Sequence, residues 1–456
     1  MKNSTAYMCE GPLFKKIVFY TIPIICTGIL QLLFNAADLV VVGRFCGSIS
    51  VGAVGATSSL INLIVNFFIG LSVGVGVTVA HAIGAGHENE IHRTVHTAIP
   101  TAVISGIILT VVGLFFAETF LKMMDTPDDV IGLSTIYMKI YFCGVTFSMI
   151  YNFGAAILRA AGDTKSPLLF LTAAGILNVI LNVVFVYFFK MDVAGVALAT
   201  SISQAVSAVL IIIALMKRRD ACRLELRRMK IYKKQVAKIL TVGVPAGIQS
   251  SLFAISNVII QSSINSFDSV AMSGSAAAVS IEGFVYTSMN SFHQTALNFV
   301  GQNMGAKKYD RIGKIAWICL LCVAVTGLVL GVLSYIFGRS LLSIYITDSE
   351  EAIGYGLLRL KYVALPYFLC GLMDVTTGVI RGMGSSIAPM VVTVLGVCVM
   401  RIGWIYTIFR IPQYHTLQCL FVSYPISWLL TFTVQLTIYL ILRAKQKKKL
   451  ALESLT

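Results

Sequence analysis

Long apolar runs separated by short polar joints make up the chain from end to end. Each run holds about 20 to 30 residues, enough for a helix rising 1.5 Å per residue to cross a hydrocarbon layer of about 30 Å. The runs predict about twelve transmembrane helices, near 15–43, 51–83, 94–117, 131–158, 167–189, 194–216, 239–266, 276–303, 315–338, 353–380, 389–410 and 415–442. None carries the apolar–polar alternation of a barrel strand, so the fold class is an all-α membrane protein.

The joints, and a few polar residues inside the runs, occur twice at one spacing. Lys16 and Lys238, Pro23 and Pro245, Asn35 and Asn257, Gly52 and Gly274, Lys139 and Lys361, Arg159 and Arg381, Gly162 and Gly384, Pro167 and Pro389, and Ser201 and Ser423 each lie 222 residues apart. A duplicated six-helix lobe accounts for this, and paired membrane halves are how many secondary transporters build a central site. The expected domains are a first lobe over 1–216, a basic linker over 217–238, a second lobe over 239–443 and a tail over 444–456.

Composition agrees. Hydrophobic residues are 57% and charged residues 12%, against about 25% charged in a soluble domain; the mean hydropathy is +0.85. The net charge of +15 would suit nucleic acid, but its distribution points elsewhere. With a cytoplasmic N-terminus, Lys2, Lys15, Lys16, Arg93, Arg159, Lys165, the basic residues of 217–238, Lys307, Lys308, Arg311, Lys314, Arg381 and the tail after Arg443 all fall on one side. Arg44, Lys122, Lys190, Arg339 and Arg410 fall on the other. This is the positive-inside pattern, with both termini and the linker cytoplasmic, as expected of a multi-pass plasma-membrane protein. The linker itself reads as a solvated tether.

Several patterns resemble chemistry and have simpler readings. The first run continues to Val42 and carries Asp38, which is a span rather than a removable signal. Ten cysteines read as small buried hydrophobes. His92 and His96 have ligand-like spacing but sit in a charged loop at a helix end. Gly70, Gly74, Gly76, Gly84 and Gly86 follow no strand, so close helix packing explains them better than a nucleotide loop.

Ionisable groups inside the spans are the functional candidates, because each is costly there unless it faces a cavity or a partner. They are Asp38, Lys139, Glu282, Arg359, Lys361, Asp374 and Arg401. Lys139, Arg359 and Lys361 lie near span ends and read as snorkelling anchors. Asp38 sits roughly 8 Å from the outer end of its span, with Asn35 one turn deeper. Asn178 and Asn182 share one face of the fifth span, and Thr200, Ser201 and Gln204 lie at similar depth on the sixth. A lone carboxylate among amides and hydroxyls results, in a pocket whose poor solvation opposes its charged form. In the second lobe, Glu282 and Arg401 fall about 10 Å and 15 Å from the outer surface and are expected to pair. Tyr286, Met289, Asn290 and Gln294 add a wall along the eighth span with His293, and Asp374 lies in the inner third of the tenth.

Asn35, Ala36, Ala37 and Asp38 followed by Gly43, the run Leu158–Pro167 with Arg159, Gly162 and Asp163, its echo at Ile380–Pro389, and Gln302, Asn303, Gly305 and Ala306 resemble the multidrug and toxic compound extrusion (MATE) family over nearly the whole chain. The resemblance implies twelve spans in two lobes and export of organic cations or drugs in exchange for H+ or Na+ by alternating access. It implies that Asp38 is the coupling acid, that Asn178 and Thr200 are its polar partners, and that Pro23 is a bend in the first helix. Two positions depart from the pattern. Asn182 stands where many prokaryotic members have Asp, and Gln249, a candidate cargo contact, stands where another branch has Glu.

The expected function is a secondary antiporter, monomeric, without cofactor, coupled to H+ rather than Na+ because only one carboxylate remains in the first-lobe pocket. A lipid-precursor flippase is the alternative and calls for a more cationic interior; here Asp38, Glu282 and Asp374 stand mainly against Arg401. An enzyme would need a carboxylate or histidine cluster at one interface, and a passive channel would not need duplicated lobes.

Overall fold

The computed structural model describes residues 8–124, 126–347 and 349–453; Lys2 and residues 454–456 lie outside them. Twelve long helices follow one another, and no strand occurs among the described residues. They are α1 (Leu13–Phe45), α2 (Ser48–Gly84), α3 (Glu88–Met123), α4 (Asp128–Ala160), α5 (Lys165–Phe188), α6 (Asp192–Lys217), α7 (Lys233–Asn265), α8 (Ser269–Gly305), α9 (Tyr309–Ile336), α10 (Glu350–Gly382), α11 (Ile387–Arg410) and α12 (Leu417–Glu453). Eleven are long and apolar enough to cross a membrane. The twelfth, α8, is as long but interrupted by Ser275, Glu282, Asn290, His293, Asn298 and other polar residues, most of them buried. It spends its polarity inward, which is why hydropathy alone underrates it.

The repeat recurs in the backbone. Gly162 and Gly384, 222 residues apart, close α4 and α10 at φ +91° and +93°, a conformation that a side chain would strain. Asp163 then caps α5, accepting from the Ser166 amide at 3.0 Å.

Packing divides the described chain into two compact units: one takes in Ile22–Ser251, the other Met8–Thr21 and the chain from Leu252 onward. Helix α1 therefore starts in the second unit, where Thr21 meets Thr295 at 2.8 Å and Tyr20 stands edge-on to Phe299. It continues in the first unit beyond Pro23. The opening half of α7 packs in the first unit. A Cβ on Gly70 would lie 2.3 Å from the Gly247 nitrogen, and one on Gly74 2.1 Å from the Ile239 oxygen, so these two glycines of the α2 series serve close helix approach. Gly86 instead makes a turn at φ +68°.

The linker is docked, not a solvated tether. Glu225 N–H donates to His96 Nε2 at 3.0 Å, and Tyr232 N–H to Thr97 Oγ1 at 3.2 Å. Arg218 forms an ion pair with Asp220, and Lys238 reaches Glu90 at 3.0 Å. Burial opposes ionisation of Asp220, yet the Arg218 guanidinium and the Cys222 amide hold its carboxyl below the usual range. His92 stacks on His96 at 3.8 Å between centroids, and the pair faces the strap. Of the ten cysteines, five are buried, while Cys26 and Cys143 are exposed on helix surfaces rather than buried.

Candidate functional site

In the first unit the polar residues expected to meet Asp38 do so. Asn178 and Asn182, one turn apart on α5, both face inward; the α-helical part of α5 ends at Val183 and widens into a π-turn over Val184–Phe188. Asn182 Nδ2 donates to Asp38 Oδ1 and to Asn178 Oδ1, and Asn178 Nδ2 donates to Thr200 Oγ1 at 3.3 Å. One line of side chains thus joins α1, α5 and α6. Asn182 Oδ1 is buried and has no partner. Beside this line lies a cavity of about 70 Å³ lined by Gln31, Asn35, Asp38, Asn178, Thr200, Ser203, Gln204 and Ser207, room for about two water molecules. Ser201 is not part of it: its hydroxyl bonds the Ile140 and Ala197 carbonyls, tying α6 to α4. Gln31, Ser203 and Ser207 were not singled out from the sequence, although Ser203 and Ser207 follow Thr200 at the i+3 and i+7 spacing of one helix face.

In the second unit the expected pairing of Glu282 with Arg401 does not occur. Glu282 accepts two hydrogen bonds from Arg359, Nε to Oε1 and Nη2 to Oε2, both 2.9 Å, and Arg359 Nη1 donates to Ser275 at 3.0 Å. Both partners are 4% exposed, so Arg359 is a buried bidentate partner and not a snorkelling anchor. The reason is azimuth. Helix α8 lies directly along α10, where a Cβ on Gly274 would sit 2.1 Å from the Ala352 oxygen, and this turns Glu282 toward Arg359.

Arg401 faces α12. Its Nε donates to Ser427 Oγ at 2.8 Å, and its guanidinium carbon lies 4.1 Å from the Tyr424 ring centre and 5.4 Å from that of Trp428. Trp428 stacks in turn on Tyr367, and Tyr367 on Tyr286. Tyr424 and Trp428, four apart on α12, share one face, and that spacing was the available signal in the sequence.

The polar wall of α8 resolves into distinct roles. Tyr286 and Asn290 hydrogen-bond the Asp374 carboxylate, and His293 Nδ1 donates to the Asp374 main-chain oxygen at 2.6 Å. Met289 is packing: its sulfur fills the space over Gly327 and Gly371. Gln294 is partly buried one turn beyond Asn290, and Gln249 lies on the part of α7 that packs in the first unit. Arg381 is buried near Asp374. Three arginines, Arg359, Arg381 and Arg401, thus stand in this interior against Glu282 and Asp374, which corrects the expectation of an acid-rich one.

Two repeated six-helix sets, a lone carboxylate in a polar cavity and a second charged interior define a multi-spanning membrane transporter. The family described as MatE matches residues 23–184 and 245–407, more than half of the chain, and the chain belongs to it. It is 27% identical to the probable multidrug resistance protein YpnP of Bacillus subtilis, over 86% of this chain and 87% of that one. It is 24% identical to the probable multidrug resistance protein NorM of Thermotoga maritima, over 85% and 84%. Among solved structures, a MOP superfamily transporter from Pyrococcus furiosus superposes with a TM-score of 0.91 at 20% identity, covering 98% of this chain and 99% of that one.

Proposed function

We propose that this chain exports organic cations or drugs across the plasma membrane by exchanging them for protons, working as a monomer by alternating access. The observation that carries the reading is the line Asp38, Asn182, Asn178 and Thr200 around one carboxylate. Ionised Asp38 takes a hydrogen bond from the Asn182 amide nitrogen. A protonated Asp38 would need an acceptor, and the partnerless Asn182 oxygen supplies one when the amide turns over. Proton uptake then exchanges one hydrogen bond for another inside a small cavity. Sodium would need several hard oxygens and more negative charge than one carboxylate among amides offers. The names of the relatives support export of drugs, and the aromatic ladder beside Asp374 suits flat cations. The transfer of α1 from one compact unit to the other next to Pro23 makes that proline the place where the coupling site and the cargo path can be linked.

The deciding experiment loads inverted vesicles with a fluorescent cation and imposes one gradient at a time. Dye movement driven by a pH gradient without sodium is expected; movement that runs on sodium alone at clamped pH would remove the proton from the scheme. Orientation is tested separately. Lys230 is exposed on the docked linker, so Lys230→Cys should react with a membrane-impermeant maleimide only after cells are permeabilised, and labelling of intact cells would reverse the topology.

A further inference from the structure

Arg401 is the least compensated charge among the described buried residues. Its side chain is 1% exposed, and a guanidinium does not shed its proton to escape burial. Ser427 takes up Nε, and the faces of Tyr424 and Trp428 flank the cation. Nη2 is buried without a hydrogen-bond partner. No carboxylate of the same unit reaches it: Glu282 is held by Arg359 through both oxygens, and Asp374 is held by Tyr286 and Asn290. A second group repeats the pattern. The indole Nε1 of Trp428, in the ring beside Arg401, is likewise buried and unpartnered. Both groups can only donate, so what completes them is an acceptor, and the guanidinium makes a negatively charged acceptor the favoured one.

We propose that Arg401 and Trp428 form an anchor for a carboxylate on the transported compound, so that the cargo class includes flat aromatic zwitterions as well as simple cations. The stack Tyr286, Tyr367 and Trp428 gives the aromatic body a surface, with ring centres 6.4 Å and then 5.1 Å apart, running from the Asp374 end to the Arg401 end. This inference rests on the reading of the chain as an exporter of organic compounds. It adds a selectivity that the charge of Asp38 does not supply.

The test uses a rhodamine with a free carboxylate and the same rhodamine as its methyl ester, titrated by fluorescence anisotropy onto the full chain. Nanodiscs of phosphatidylcholine alone keep anionic lipid from competing for Arg401. Arg401→Gln is expected to weaken the acid by about ten-fold or more while leaving the ester within about two-fold, a difference worth a readable shift in Kd. Trp428→Phe keeps the ring and deletes the N–H, and should give the same split at about three-fold; it serves if Arg401→Gln does not fold. Equal loss of both dyes, or loss of neither, would make Arg401 a structural cation on an aromatic pillar and overturn the proposal. Wild-type binding of the ester but not the acid would overturn it while sparing the export reading; binding of neither dye would count against both.

Discussion

Asp38→Asn is expected to reduce gradient-driven efflux to the level of protein-free vesicles while leaving cargo binding within a few-fold of wild type. The substitution keeps size and hydrogen-bonding reach, and the cavity that Asp38 lines loses only its titratable group. It removes the one group on α1, α5 and α6 in that cavity whose charge can change, fixing the network in a state resembling the protonated one. A transporter locked this way can still hold a ligand, but proton binding no longer biases one conformation over the other, and without differential binding there is no coupling. The measurement pairs dye efflux under an imposed pH gradient with equilibrium binding on the purified variant. Efflux that survives Asp38→Asn would take Asp38 out of the mechanism; loss of binding together with transport would assign it to cargo instead.

Glu282→Gln should cost about 3–5 kcal/mol of stability, because it leaves the Arg359 guanidinium buried without its counter-charge. The effect should be seen as a lower melting temperature in detergent and a smaller folded yield. Combining Glu282→Gln with Arg359→Met should recover most of the loss, since a buried ion pair replaced by apolar groups of similar volume is often neutral. A double variant as unstable as the single one would mean that Ser275, or the Phe421 and Tyr424 rings near Arg359, carries the structural role. Asp374→Asn provides the contrast. Its partners Tyr286 and Asn290 can hydrogen-bond an amide as well as a carboxylate, so stability should change little while cationic dyes bind more weakly than neutral ones. Equal weakening of both classes would place Asp374 in the scaffold.

The chain alone determined the number of helices, the repeat at 222 residues and the company that Asp38 keeps. These are properties of distance along a helix. A run long enough to cross the bilayer has to cross it, residues four apart share a face, and rise per residue gives depth. Asn178 and Asn182 could therefore be matched to Asp38 and Thr200 by height alone, since few other polar groups compete at that level. Tertiary structure decided everything that depends on rotation about the helix axis and on which helix stands next to which. Glu282 and Arg401 have similar estimated depth, yet close contact between α8 and α10 gives Glu282 to Arg359, and Arg401 turns to Tyr424, Ser427 and Trp428 on α12. The linker, by sequence a run of lysines and arginines, is held by backbone donors that meet His96 and Thr97, a contact invisible to composition. Depth is one-dimensional and can be read from the sequence; azimuth and neighbour are set by the packing of all the helices together.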